Sequence, residues 1–116
     1  MDLLRRRQDF VAAARAMYAT MPGLVLQARN REDPRPARAG FTATRRIGNA
    51  VLRNRAKRRL RELARLNLAP TAKPGFDYVL VARSSTLRRS FKDLETDLRA
   101  ALERIHRPSA DNTDKS

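Results

Sequence analysis

Between Arg53 and Leu66 the chain reads RNRAKRRLRELARL, in which seven of fourteen residues are Arg or Lys and only Glu62 is acidic. An Arg guanidinium offers a planar fork of N–H donors that grips a phosphate bidentately or stacks on a base. Arg53, Asn54, Arg55, Lys57, Arg58, Arg61 and Arg65 together are therefore equipped to bind a polyanion. Groups suited to covalent or metal chemistry are sparse. Asp and Glu are scattered, with no close cluster of the kind that holds two metal ions. His106 is the only histidine, and its place by the end of the last helical segment predicts an exposed residue near helix carbonyls rather than a general base. The four glycines form no phosphate-binding loop and there is no cysteine. These residues describe a binder, with no catalytic site in the chain.

The basic residues need an element to align them. On a helical wheel Leu52, Ala56, Leu60, Leu63 and Leu66 share one face and predict a buried stripe, while the cations fill the opposite arc. Arg59 falls inside the stripe and is expected to pack its stem and turn its head out to solvent. Solvated helix faces usually mix signs, as the last helix does with Glu95–Arg99 and Glu103–Arg107. Here Arg53–Lys57, Lys57–Arg61 and Arg61–Arg65 set like charges four apart, which destabilises a free helix unless a polyanion offsets the repulsion.

Around this helix the sequence predicts one domain over residues 1–107 and a disordered tail over 108–116. Helices are expected over Asp9–Tyr18, with Asp9 as N-cap, over Asn49–Leu68, and from a Ser90 cap, with Asp93 completing a weak capping box. The last helix carries an apolar stripe of Phe91, Leu94, Leu98, Ala101, Leu102 and Ile105. Strands are expected over Leu24–Asn30, Phe41–Arg46 and Phe76–Arg83, with a surface loop over Arg31–Gly40. The class is α+β, helices packed on a small sheet.

The net charge of +14 is uneven: residues 1–76 carry 18 basic and 5 acidic side chains, and residues 77–116 carry 8 and 7. Arg outnumbers Lys 22 to 4. Such asymmetry points a basic face at an anionic partner, with nucleic acid ahead of a membrane surface. Folded RNA suits a broad Arg face better than a DNA groove does, since no short helix precedes the basic one to form a helix-turn-helix. No apolar run approaches the roughly 18 residues of a membrane span. The N-terminus lacks a secretion signal's apolar stretch. The protein reads as soluble and cytoplasmic.

The segment TRRIGNAVLRNRAKRRLRE, Thr44–Glu62, closely resembles the signature of the protein subunit of bacterial ribonuclease P. Gly48-Asn49-Ala50-Val51, Arg53-Asn54-Arg55, Lys57-Arg58 and Arg61-Glu62 all stand in register with it. RRRQDF, GLVLQAR, ARAGFTATRRIG and DYVLVAR extend the likeness over most of the chain. The resemblance implies a four-stranded sheet with about three helices in αβββαβα order, a left-handed crossover, and a short extra strand near Met17–Met21. It implies a monomer bound 1:1 to ribonuclease P RNA, which supplies the active site and its magnesium ions and removes the 5′ leader of precursor tRNA. Arg53, Asn54, Arg55, Lys57, Arg58, Arg61 and Arg65 would face that RNA or phosphates near the cleavage point. Phe10, Thr44, Arg45 and Arg46 would line a leader cleft.

Two positions depart from the family pattern. Ala14 stands where a second aromatic is common, and Gln27 or Ala28 where the first long strand often carries a Tyr. Stacking of a base on an aromatic contributes about 1–3 kcal/mol, so a weaker leader grip, leaning on Arg45 and Arg46, is expected. Phe10 could equally be a core residue, as a Phe opening a helix usually packs inward. A ribosomal or ribosome-associated RNA-binding protein with no role in cleavage, or a DNA-binding protein, remains open on composition alone.

Overall fold

The computed structural model describes residues 1–107; the tail predicted over 108–116 lies outside the described residues. The elements run β1 (Asp2–Leu3), α1 (Arg7–Arg15), β2 (Met17–Thr20), β3 (Leu24–Asn30), β4 (Arg38–Thr42), α2 (Ala50–Asn67), β5 (Phe76–Ala82) and α3 (Phe91–Ile105). The strands form one sheet in the order β1-β4-β5-β3-β2. β4 is parallel to both β1 and β5, whereas β3 is antiparallel to β5 and to β2. The α+β class holds, with five strands rather than four. β1 has no signal in the sequence, because two residues carry no periodicity; it is held by Asp2 N–H to Ala37 O and Leu4 N–H to Ala39 O.

Alternation along the strands gives the sheet two different faces. Leu24, Leu26, Ala28, Tyr78 and Leu80 point to one side and form the main core with Ala56, Leu60, Leu63, Ala64 and Leu68 of α2 and Leu94, Leu98 and Ala101 of α3. The predicted α3 stripe packs into this core throughout. The other side is only partly covered, by α1: Leu4, Ala13 and Val79 are buried there with Phe10 and Val81 packed beside them.

Several boundaries moved. α1 starts at Arg7 and ends at Arg15, and its N-cap is Arg6 without a side-chain cap. Asp9 is buried within the helix instead of capping it. Tyr18, expected at the helix end, lies in β2, the short strand that the resemblance implied near Met17–Met21. The strand expected over Phe41–Arg46 is Arg38–Thr42, so three residues of the expected loop belong to it, and Arg45–Ile47 form a 3-10 turn. α2 and α3 start where expected, Ser90 as the cap foreseen and Asn49 as one that was not: the Asn49 side chain accepts from Leu52 N–H at 3.0 Å and Ser90 from Asp93 N–H at 3.1 Å. Gly48, at φ 142°, makes the turn from the 3-10 segment into Asn49, a backbone region L side chains rarely adopt.

His106 differs from expectation. The ring is half-buried, edge-on to Phe76 at 4.7 Å between centroids. The Tyr78 hydroxyl accepts from Lys73 N–H at 3.1 Å and shares a hydrogen bond with His106 Nε2 at 2.7 Å. Burial and then the Lys73 charge push the His106 pKa below its ordinary value. The unfolded chain thus takes up a proton that the folded chain resists, so this contribution to stability is full above about 6.5 and is lost as pH falls through the depressed folded value. With no second histidine in the chain, His106→Gln is expected to flatten the fall in thermal midpoint between pH 7 and pH 5. An unchanged profile in that variant would show that the contact carries no titration.

Candidate nucleic-acid interface

α2 presents its cations along a well-anchored helix. Ala56, Leu60, Leu63 and Ala64 are buried, and Leu52 is half-buried. Leu66, expected in the stripe, is 45% exposed, because the buried face is rotated toward Ala64 and Leu68. The same rotation changes the role of Arg59. Its head turns back onto the protein and donates from Nη1 to the carbonyls of Thr86, at 2.6 Å, and Arg89, at 2.8 Å. Arg59 thereby ties α2 to the connection ahead of α3.

The remaining α2 cations separate into two groups. Arg55, Arg58, Arg61 and Arg65 are exposed and Arg53 and Lys57 half-buried, with Asn54 exposed between them. The Arg61 guanidinium lies 5.8 Å from the centroid of the Phe41 ring, a cation–π contact. Arg65 pairs bidentately with Glu62 at 2.6 and 3.0 Å. The side chains of Arg53, Arg55, Lys57 and Arg58 have no hydrogen-bond or ion-pair partner among the described residues. Four uncompensated cations therefore occupy the first half of α2.

Other Arg residues that contribute to the charge asymmetry have internal duties. Asp77 is wholly buried, and the register places Arg38 of β4 and Arg29 of β3 directly beside it on neighbouring strands. Arg38 donates to Asp77 from Nε and Nη2, both at 2.8 Å, and Arg29 from Nη2 at 2.9 Å. Arg31 adds an ion pair to Asp77 and a bidentate one to Asp33. Asp9 of α1 joins the cluster at 3.3 Å from Arg29 and 3.5 Å from Arg38. Arg29, Arg31 and Arg38 are thus fastened inside the fold, a finding that narrows the basic face inferred from composition.

The residues expected to line a leader cleft are divided between α1 and the segment that follows β4. Thr44, Arg45 and Arg46 are exposed and line a groove of about 560 Å³ with Ile47, Val81, Ala82, Arg83 and Ser84. Phe10 is half-buried, its ring so close over β4 that a Cβ at Gly40 would lie 2.5 Å from Cε1. It is both a packing residue and a wall of the uncovered face. Val81 connects the two regions, lining the groove and packing on the Phe10 cluster. The register also settles the strand position left uncertain by one: Gln27 points to this face and Ala28 into the main core.

No three His, Asp or Glu side chains are grouped so as to hold a metal ion among the described residues. No helix among them is long and apolar enough to cross a membrane.

The Ribonuclease P family model matches residues 2–106. The ribonuclease P protein component of Ruegeria pomeroyi is 49% identical over 110 residues, covering 92% of this chain and 88% of that protein. That of Caulobacter vibrioides is 50% identical over 102 residues, covering 87% and 68%. Among solved structures, the ribonuclease P protein of Thermotoga maritima superposes with a TM-score of 0.75 at 28% identity, covering 91% of this chain and 99% of that one. The Staphylococcus aureus protein, at 20% identity and a TM-score of 0.74 over 91% and 96%, shares the fold. With its signature helix, its sheet order and these relatives in agreement, the chain belongs to the ribonuclease P protein component family.

Proposed function

We propose that this chain assembles 1:1 with a ribonuclease P RNA in the cytoplasm and assists endonucleolytic removal of the 5′ leader from precursor tRNA. The RNA provides the reacting site and its magnesium ions, and the protein provides phosphate contacts and a channel for the leader. The observation that carries this reading is the row of uncompensated cations on α2, beside a sheet whose arginines Arg29, Arg31 and Arg38 are paired internally. Arg53, Asn54, Arg55, Lys57, Arg58, Arg61 and Arg65 are assigned to the RNA. Phe10, Thr44, Arg45 and Arg46 are assigned to the leader.

A row of half-buried residues, Thr42, Val81 and Val25, ends at exposed Thr20 and floors the open sheet face. Its β4/β5 end opens into the groove lined by Arg45, Arg46 and Arg83. A single strand laid there would set bases on an apolar floor with its phosphates toward the arginines, the usual division for single-stranded nucleic acid.

Purified protein mixed with a bacterial ribonuclease P RNA and labelled precursor tRNA at low magnesium tests the assignment. Cleavage at the mature 5′ end is expected in the mixture, with nothing from the protein alone and little from the RNA alone. No stimulation across several such RNAs would overturn it in favour of an RNA-binding protein outside cleavage, such as a ribosomal one.

A further inference from the structure

Tyr18 is the most exposed large apolar side chain among those exposed on the described fold, at 68%. Its neighbours in β2, Met17 and Ala19, pack into the main core, so Tyr18 and Thr20 project to the α1 side. The register sets Tyr18 opposite Gln27, Gln27 opposite Val79, and Val79 opposite Gly40. This row crosses four of the five strands on the α1 side and ends under the Phe10 ring at Gly40. With strands about 4.8 Å apart, Tyr18 stands at one end of the row and Gly40, beneath the Phe10 ring, at the other, roughly 14 Å away at the backbone. Between them Ala14 is exposed and Gln27 half-buried. No hydrogen bond or ring contact engages the Tyr18 side chain among the described residues.

An unsupported aromatic of this kind costs solubility and adds nothing to the core, and a base would cover it. We infer that Tyr18 is the second stacking platform of the single-strand channel, taking an unpaired leader base beyond the one at Phe10. This rests on the leader-binding reading above and adds a residue to it. It also revises the expectation of a weak grip: the aromatic absent at Ala14 and Gln27 is supplied from the adjacent strand. The occupant is an unpaired nucleotide because the platform adjoins a floor that ends at Arg45, Arg46 and Arg83, a charge pattern complementary to a phosphate chain. Stacking uses the ring face and does not need the hydroxyl.

The test measures affinity of the assembled holoenzyme for precursor tRNA with a single-stranded leader and for leaderless tRNA. Tyr18→Ala is expected to weaken the leader-bearing substrate by about fivefold or more, to leave leaderless tRNA unchanged, and Tyr18→Phe to behave as wild type. The chain has two tyrosines and no Trp, and Tyr78 is buried and hydrogen-bonded. Tyrosine emission of a Tyr78→Phe holoenzyme therefore reports Tyr18 and should be quenched by the leader-bearing substrate alone. Equal affinity of Tyr18→Ala and wild type for the leader, in a holoenzyme that cleaves, overturns the inference and spares the functional reading. Loss in both Tyr18→Ala and Tyr18→Phe would overturn stacking in favour of the hydroxyl. A wild-type protein that stimulates no cleavage and shows no leader preference would bring down both.

Discussion

Asp77→Ala is expected to destabilise the fold by about 3–5 kcal/mol, the usual cost of removing one partner of a buried ionic cluster. Asp77 has no exposed side-chain area, and Arg31 is only 9% exposed. Burial by itself pushes the Asp77 carboxyl up, but the hydrogen bonds and charges of Arg38 and Arg31 outweigh it and hold its pKa below the ordinary carboxylate value. Three guanidinium groups converge on that one carboxylate, with Asp9 as the second acid. Its removal leaves those cations facing one another in a poorly solvated site. Because the cluster joins β3, β4, β5 and α1, the loss should appear as a global fall in urea midpoint and not as local fraying.

The pH dependence provides a check with a definite sign. A carboxylate with a depressed folded pKa contributes stability that is present above its unfolded value, near 3.9, and is lost as pH falls through the folded value. Asp77→Asn should therefore be much less stable than wild type at pH 7. The gap should begin to narrow below about pH 4 and close as pH falls through the depressed folded value, where the wild-type carboxyl is protonated too. A gap that stays constant from pH 7 to pH 3 would show that shape, and not charge, makes Asp77 necessary.

This cluster also shows what the sequence could and could not disclose. α2 and α3 were legible because a cap residue, a 3.6-residue period and a terminating segment are all local signals, and Asn49 and Ser90 do cap them. The roles of Asp9, Arg29, Arg31, Arg38 and Asp77 were not, since they depend on which strands become neighbours. Asp77 and Arg38 are 39 positions apart in the chain and adjacent only through the β4–β5 register. The same holds for Tyr18, which a helical reading of an Ala-rich segment placed at the end of α1. Arg59 and Leu66 were misassigned for a different reason. Arg59 lies inside the apolar arc and Leu66 at its margin, and tertiary contact of Arg59 with the Thr86 and Arg89 carbonyls decides which is covered. His106 was placed at a frayed end because nothing local announces a tyrosine 28 positions earlier. The candidate RNA-binding residues were legible as a set because charge and period coincide on one helix; the division of labour among the arginines required the fold.

That division leads to the second large effect, at Arg53, Arg55 and Arg58. These side chains have no partner among the described residues, and they sit on a helix that carries Arg53 and Lys57 as a like-charged pair four apart. Replacing all three with Ala removes repulsion and introduces the best helix former. Folding stability should therefore stay within about 0.5 kcal/mol of wild type or rise. Affinity for ribonuclease P RNA should move the other way. Each lost phosphate contact removes about 0.7–0.9 from the slope of log K against log salt. Three contacts then flatten the slope by roughly 2–3 and weaken binding on the order of a hundredfold near physiological salt. A salt titration of RNA binding beside a urea melt of the same variant separates the possibilities. Unchanged RNA affinity with lost stability would make these residues structural. The expected pair, weaker RNA binding with undiminished stability, requires that the free protein tolerates the repulsion along α2 and that the RNA relieves it. Arg65, already neutralised in part by Glu62, should give a smaller loss than Arg58 when replaced singly, because its guanidinium must exchange a carboxylate for a phosphate instead of gaining a first partner.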